Sequence, residues 1–497
     1  MPHWCAQHPN RSVVRTVIGV ESLTARQCRD LVWKSESPAA VPPGATDWIV
    51  GDEMMGSKRQ RAMQVVHPNC AGIDVGKAMH HVAVDESAAA RPVRTFGSFT
   101  DDLEAMAAWL SSCGVDIVAL ESTGVYWIPV FEVLDRAGLE VHLVDARATK
   151  QVSGRKSDVL DCQWIRQLMS HGLLKGAFRP ADRICELRAY VRQRARTTRD
   201  RGRCVLHMQK ALTEMNVQLD NVLSDIMGVT GQRIVRAIVA GERDGEVLAR
   251  FRDRRVKADE ATIARSLRGT WRDEHLLALE LALERYDLLG RQIGRIEARI
   301  DAQVAAIAGE VVDESAVGVL AKPAATLPER RRQVALRAML GVDLTAIPTI
   351  GVETALTIAS EIGPDLSRFP NAAHFCSWLT LAPGTRISGG KQLRGLQPKR
   401  LNRAGQALRV AASTARSSKS YIGACHRARL RRLDAGRANK ATAHQLARLV
   451  YAMLTRGEEY VAREVADFEA ERRDRQLRHL QRQAKRYNLV LVDADAA

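Results

Sequence analysis

Between residues 70 and about 175, the hydrophobic positions change period several times, which is typical of alternating strands and helices. Short apolar runs predict a strand hairpin at 71–86 and further strands at 92–99, 115–120 and 141–144. Helical spacing follows three of these strands, at 100–110, at 128–134 and from about 157. Three strands that can pair as a meander, followed by alternating helices and strands, predict a mixed sheet with helices on its faces.

Residues 181–310 show mostly helical patterns, and their last part repeats with a period of seven. Apolar residues form two seams, with one polar exception at Gln303. The seams are Leu279, Tyr286, Ile293, Ile300 and Ile307, and Ala282, Leu289 and Ile296. The pattern predicts a coiled coil or a long helical hairpin. An amphipathic helix packed on its own domain fits equally well, because Gly290 and Gly294 weaken a long straight helix.

Proline, glycine and charge patterns divide the chain into six predicted segments. The first lacks sustained periodicity, and its Met63 is a candidate start codon. The segments are a poorly ordered extension (1–68), an α/β domain (69–180), an arginine-rich helical and coiled-coil region (181–310), a loop-rich linker (311–341), a compact helical domain with a helix-hairpin-helix-like turn near Gly351 (342–462), and a charged helical tail (463–497). The predicted fold class is therefore α/β plus all-α.

The formal net charge of +17 is unevenly distributed. Between Arg386 and Lys440, fifteen lysines and arginines face a single acid, Asp434, so this segment carries +14. Such a concentration favours nucleic acid as a partner over a merely solvated surface. Nine scattered cysteines without a CxxC pair indicate reduced thiols in a cytoplasm. No apolar run is long enough for a membrane span or a signal peptide.

Four carboxylates occupy related positions in the α/β segment. Asp74 lies within the first strand, and Glu121 follows the fourth strand. Asp158 and Asp161 begin the helix after the fifth strand, three residues apart and therefore on one helical face. If strands one and four are neighbours, all four acids can converge at one edge of the sheet, where two Mg²⁺ ions roughly 3.5–4 Å apart would neutralise them. Taken singly, each acid also fits a structural role, such as a paired strand acid or a first-turn helix acid.

Ser388 lies in the sequence Arg386-Ile-Ser-Gly-Gly-Lys391, with Arg394 close behind. A serine on a flexible basic loop can approach a phosphodiester closely, and cations stabilise the charge that develops when its hydroxyl attacks. A Ser-Gly-Gly sequence alone is usually only a turn.

These motifs together resemble a family of bacterial insertion-sequence transposases. Gly72-Ile-Asp-Val-Gly-Lys77, Glu121-Ser-Thr-Gly124 and Lys156-Ser-Asp-Val-Leu-Asp161 look like the family's DEDD set, which lies in a RuvC-like domain with an RNase H-like fold. Residues 343–460 resemble its second domain, in which the serine before Gly-Gly is the DNA nucleophile. Members of this kind are described as bridge-RNA-guided recombinases.

The resemblance implies the mechanism and partners of this chain. Asp74, Glu121, Asp158 and Asp161 would hold two Mg²⁺ ions, and Ser388 would form a phosphoserine link with DNA. The partners implied are the element ends and target DNA, a guide RNA, and further copies in a homodimer or homotetramer, within the bacterial cytoplasm. The heptads at 279–307 are a candidate dimer contact. The predicted phosphate contacts are Arg188, Arg192, Arg196, Arg199 and Arg203, and Arg386, Lys391, Arg394, Lys399 and Arg400.

Two alternatives remain open at this point. The first is a metal-dependent RuvC-like junction nuclease that uses water and forms no covalent link to DNA. The second is a non-catalytic nucleic-acid-binding remnant of a dead element. The intact acids and the intact Ser-Gly-Gly sequence favour the transposase over this second alternative.

Overall fold

The computed structural model describes residues 64–122, 124–145, 158–309, 320, 324–383, 386–393 and 402–488. Two compact units lie in this part of the chain, and the boundary between them falls between Arg179 and Pro180. The predicted poorly ordered extension lies outside the described residues up to residue 63. No helix of the described residues combines the length and the apolar character that crossing a membrane requires.

The first unit is built on a five-stranded mixed sheet. Its strands are β1 (Cys70–Val75), β2 (Met79–Ala83), β3 (Val93–Gly97), β4 (Ile117–Glu121) and β5 (Glu140–Val144). Their order is β3-β2-β1-β4-β5. β1 runs antiparallel to β2 and parallel to β4, and β5 runs parallel to β4. The predicted mixed sheet is confirmed, and strands one and four are neighbours.

Helices cover both faces of this sheet. They are α1 (Thr100–Ser112), α2 (Trp127–Arg136) and α3 (Asp158–Ser170). Because side chains alternate along a strand, Ala71, Ile73 and Val75 point to one face, where they pack with α1 and α2 in the main core. Cys70 and Gly72 point to the other face, where the Cys70 thiol donates to the carbonyl of Arg166 in α3 over 3.5 Å.

The second unit is helical apart from one small hairpin among its described residues. Its helices are α4 (Asp182–Glu214), α5 (Val229–Val239), α6 (Gly245–Ala249), α7 (Glu260–Ser266), α8 (Asp273–Ala308), α9 (Leu327–Leu340), α10 (Val352–Ile362), α11 (Ala372–Trp378), α12 (Arg403–Thr414), α13 (Tyr421–Leu430), α14 (Ala435–Arg456) and α15 (Glu458–Arg486). The last helix covers much of the segment predicted as a charged helical tail.

The two longest helices, α4 and α8, pack antiparallel along each other within the chain, and α5, α6 and α7 lie between them in the sequence. Gln303 of α8 donates to the Glu186 carboxylate near the start of α4 at 2.9 Å, which explains the polar exception in the heptads. The seam residues Leu279, Tyr286 and Ile300 are buried. The α8 helix therefore packs inside its own domain, along α4 and against the helices between them, which matches the alternative of an amphipathic helix packed on its own domain. These three positions are occupied inside the chain, whereas Leu289, Ile293, Ile296 and Ile307 of the same seams are half-buried. The dimer contact suggested for 279–307 stays a prediction.

Helix α9 lies inside the segment predicted as a loop-rich linker, so that prediction is wrong from residue 327 onward. The prolines of this segment suggested a loop, but Pro328 lies in the first turn of the helix, where no intrahelical N–H bond is lost. Thr326 caps the helix by accepting from the Glu329 N–H. Proline therefore marks a helix start here.

The turn before α10 contains a strained residue. Thr349 has a φ of 76°, a left-handed conformation that a β-branched residue rarely adopts. Its hydroxyl oxygen is buried and has no hydrogen-bond partner among the described residues. The neighbouring Ile347 and Ile350 are buried, so the surrounding core holds Thr349 in this conformation.

Replacing Thr349 with glycine is expected to stabilise the second unit by about 1 kcal/mol. Glycine removes both the strained Cβ and the unpaired hydroxyl, although its entropy in the unfolded chain offsets part of the gain. Thermal melting measures the effect. Thr349→Ala is the matched control, because it removes the hydroxyl and keeps the Cβ, so it should gain less. A lower melting temperature for Thr349→Gly would contradict the strain argument.

Candidate active site

Asp74 and Glu121 lie side by side on neighbouring parallel strands. Ile73 of β1 pairs with Leu120 of β4, so the next position in the same register places Asp74 opposite Glu121. Residues at one register position of parallel strands point to the same face, and Asp74 shares the face of Gly72, which is covered by α3. Glu121 is only 7% exposed and Asp74 is half-buried, so the strand register places two carboxylates at a largely covered end of the sheet.

The third acid, Asp161, approaches this edge from α3. Burial raises the pKa of the Cys162 thiol to about 12, and the negative charges of Asp74 and Asp161 act in the same direction. The charge of Asp74 acts on the thiol, so α3 carries Cys162 to the face that holds Asp74, and Asp161 is the residue before it on the same helix. Asp158 is the first residue of α3, on the same helical face, but its side chain lies outside the described part of the structure.

A glycine permits this close approach of helix and sheet. A Cβ atom placed on Gly72 would lie 2.3 Å from the Arg166 nitrogen and 2.4 Å from the Cys162 carbonyl oxygen. The α3 backbone thus packs directly on β1 at Gly72, two residues before Asp74 on the same face of the strand. The Arg166 guanidinium also binds the Asp85 carboxylate at 2.8 Å, which ties α3 to the end of β2.

The donor set has the chemistry of a site for a hard divalent cation. Carboxylate oxygens are the ligands that Mg²⁺ prefers, and three acids share one end of the sheet. Among the described side chains, no group of three His, Cys, Asp or Glu residues is already arranged to hold a metal ion, and Asp158 stands outside that set. The residues therefore fit a divalent metal by type, and the described side chains do not themselves form a metal-binding group.

Sequence reasoning missed a histidine in this neighbourhood. In the β1–β2 register, His81 pairs with Asp74, so the two side chains point to the same face. The His81 Nδ1 atom lies 3.1 Å from the Thr95 hydroxyl on β3, which orients the ring. Thr95, His81, Asp74 and Glu121 thus form one polar row across four strands. The predicted hairpin at 71–86 already placed His81 on the strand next to Asp74. The alternation of side chains along these two strands was the signal that could have shown that His81 and Asp74 share a face.

Ser388 ends a short strand in place of the loop predicted from the sequence. Strand β6 (Arg386–Ser388) pairs with β7 (Lys391–Leu393), and Ser388 pairs with Lys391. The two residues between the strands are Gly389 and Gly390, with φ values of 56° and 74°. Both are left-handed, as a tight two-residue hairpin turn requires, and both are exposed. The candidate nucleophile is therefore located at the tip of a hairpin.

Several predicted phosphate contacts fall outside what the structure describes. This applies to Arg394, Lys399 and Arg400 as whole residues, and to the side chain of Arg386. The side chain of the candidate nucleophile Ser388 also lies outside the described part. Lys391 lies within the described part and is exposed at the hairpin.

Two of the arginines predicted as phosphate contacts on α4 make contacts inside the protein. The Arg192 guanidinium binds the buried Glu361 carboxylate through two bonds of 2.9 and 2.7 Å. Arg188 donates to the carbonyl of Glu361 at 2.7 Å. These contacts fasten α4 to the end of α10, because a buried carboxylate needs a bonded cation. Arg196, Arg199 and Arg203 remain exposed on α4.

Comparison with protein families gives two matches, in the order that the sequence motifs predicted. Residues 71–217 match the DEDD domain model of the IS110 type, described as a transposase. Residues 343–428 match the model described as Transposase IS116/IS110/IS902 family. No curated protein matches the chain. The resemblance to insertion-sequence transposases is confirmed.

Proposed function

The chain carries both domains of IS110-family transposases, and on this premise we propose that it cuts and rejoins the DNA of an insertion sequence through an acidic metal site and a serine nucleophile. The observation that supports the metal site most strongly is the register that sets Asp74 beside Glu121, with Asp161 approaching on α3. Acids gathered in this way repel one another unless a cation compensates them.

The metal ligands proposed are Asp74, Glu121, Asp158 and Asp161, with Mg²⁺, most simply as two ions, as the cation. Bound Mg²⁺ would neutralise the carboxylates and stabilise negative charge on the phosphate oxygens of DNA. The protein's own contribution is to fix three of these acids on rigid elements, namely two paired strands and the helix packed against them. His81 and Thr95 extend the polar row and would orient Asp74.

In the proposed covalent step, Ser388 supplies the attacking atom. Its hydroxyl loses a proton, its oxygen bonds to phosphorus, and the bond from phosphorus to a deoxyribose oxygen breaks. That oxygen leaves and takes up a proton, so the number of phosphate ester bonds is unchanged. Rejoining to a new strand reverses the step and needs no external energy source.

The proposed partners are DNA, a guide RNA and further copies of the chain in a homodimer or homotetramer, in the bacterial cytoplasm. The +14 charge between Arg386 and Lys440 supports a polyanionic partner. The guide RNA and the multimer rest on the family resemblance.

Replacing Glu121 with glutamine, or Asp161 with asparagine, is expected to lower recombination between donor and target plasmids by about 10²–10³-fold. Each change removes one negative charge from the acidic site and preserves side-chain shape. Calorimetric titration with Mn²⁺ gives a second readout, in which both variants should bind the ion more weakly. Glu104→Gln is the matched control, because Glu104 is exposed on α1, against the other face of the sheet. Wild-type recombination and Mn²⁺ binding in both variants would rule out the metal site.

A further inference from the structure

Two helices of the second unit bring arginines together on the surface of α10. Both α4 and α12 pack against α10. Arg196 and Arg199 are exposed on α4, one and two turns beyond Arg192, on the same helical face. Arg403 is the first residue of α12 and is also exposed. We call Arg196, Arg199 and Arg403 the arginine cluster.

The packing of α4 and α12 against α10 places these side chains in one neighbourhood, and their charges act on one another. Partial burial lowers the pKa of Arg403, and the positive charges of Arg192, Arg199 and Arg196 lower it further. The Glu361 carboxylate acts in the opposite direction. Guanidinium groups from α4 and α12 therefore act on one another across α10.

The nearby acid compensates this charge only in part. Glu361 already accepts both bonds of the Arg192 fork, and Arg188 is bonded to its carbonyl group. In the described part of the chain, no carboxylate forms an ion pair with Arg196, Arg199 or Arg403. The bond that Arg199 makes is from its Nε atom to the Ala195 carbonyl, at 3.2 Å. The cluster therefore presents an excess of positive charge that the described residues leave unbalanced.

The positive charge comes from the side chains and not from free backbone N–H groups. Asn402 precedes α12, and its side-chain oxygen accepts from the N–H groups of Ala404 and Gly405 at 2.9 and 3.2 Å. The start of α12 is thus already capped. Guanidinium forks match phosphate oxygens bidentately, and they bind phosphate without regard to base sequence.

We propose that Arg196, Arg199 and Arg403 bind the sugar–phosphate backbone of a nucleic acid, as one site that spans α4 and α12. The proposal deepens the proposed function and rests on it for the class of ligand. It adds Arg403, which the sequence did not single out. It also distinguishes Arg196 and Arg199, which are proposed to bind phosphate, from Arg188 and Arg192, whose N–H groups are hydrogen-bonded to Glu361.

The test is the salt dependence of binding by the full chain. Fluorescence anisotropy measures the affinity for a labelled mixed-sequence DNA duplex and for a labelled folded RNA between about 50 and 200 mM salt. Each lost phosphate contact should reduce the slope of log affinity against log salt by about 0.9 on duplex DNA. The triple variant Arg196→Gln, Arg199→Gln, Arg403→Gln should therefore lose about two to three units of slope. Arg403→Lys should keep the wild-type slope, because it keeps the charge.

Arg285→Gln is the matched control, since Arg285 is exposed on α8 and lies outside the cluster. Reduced slope on DNA alone assigns the cluster to DNA, reduced slope on RNA alone assigns it to RNA, and reduction on both assigns it to both. Slopes equal to those of Arg285→Gln on both probes would overturn the proposal, provided that circular dichroism shows a folded variant. The two proposals can also fail separately. If the triple variant shows the reduced slope but the wild-type chain forms no covalent adduct with DNA, the phosphate-binding role of the cluster is supported and the serine chemistry is refuted.

Discussion

Replacing Ser388 with alanine is expected to abolish the covalent protein–DNA adduct and to reduce strand exchange by about 10³-fold or more. The substitution removes the one oxygen that would bond to phosphorus, and nothing else. The hairpin tip makes this position suitable for attack, because Gly389 and Gly390 carry no side chains and are exposed beside Ser388. Denaturing gel electrophoresis of protein incubated with labelled element-end DNA detects the adduct.

The same variant separates the transposase from a junction nuclease. If water is the nucleophile, Ser388→Ala should cleave DNA as fast as the wild type, with no adduct in either protein. Ser413→Ala is the control, because Ser413 is an exposed serine on α12, also in the C-terminal part of the chain. An adduct that persists in Ser388→Ala would show that another residue attacks.

Much of the first unit follows from local sequence. Short apolar runs predicted the five strands and the order of elements predicted a mixed sheet, whereas the structure itself shows that β1 and β4 are neighbours. The pairing of Asp74 with Glu121 then depends only on strand register, which a buried face specifies strongly. His81 could have been found by the same alternation, but a lone histidine in a strand carries little information until its neighbour is known.

The second unit shows what local patterns leave open. The heptad residues of α8 could pack against a helix of a partner chain or against α4, and the sequence does not distinguish the two. The fold shows that α8 packs along α4. Arg192 looks like any arginine on a basic helix, because its partner Glu361 lies 169 positions along the chain. The loop predicted around Pro328 is wrong because proline is common both in loops and in the first turn of helices, and the sequence alone does not distinguish the two. Long-range partners decided each of these cases.

Replacing Gly72 with alanine is expected to destabilise the first unit by about 3 kcal/mol and to displace α3 from the sheet. A Cβ at this position would lie 2.3 Å from the Arg166 nitrogen and 2.4 Å from the Cys162 oxygen. Both obstacles are backbone atoms, so no change of rotamer can relieve the clash. Because Asp161 is carried on α3, the shift should also separate it from Asp74 and lower recombination.

Alkylation of Cys162, followed by mass spectrometry, reports this displacement directly. Cys162 is completely buried in the wild type, and burial keeps its thiol protonated at neutral pH, so labelling should be slow. Labelling should be faster in Gly72→Ala, because a displaced α3 exposes the thiol. Gly202→Ala is the matched control, since a Cβ there meets no atom within 4 Å and the residue lies inside α4. Equal labelling of Cys162 in wild type and Gly72→Ala, with unchanged thermal stability, would show that the helix and the sheet have room to adjust, and that Asp161 does not depend on this contact for its place beside Asp74.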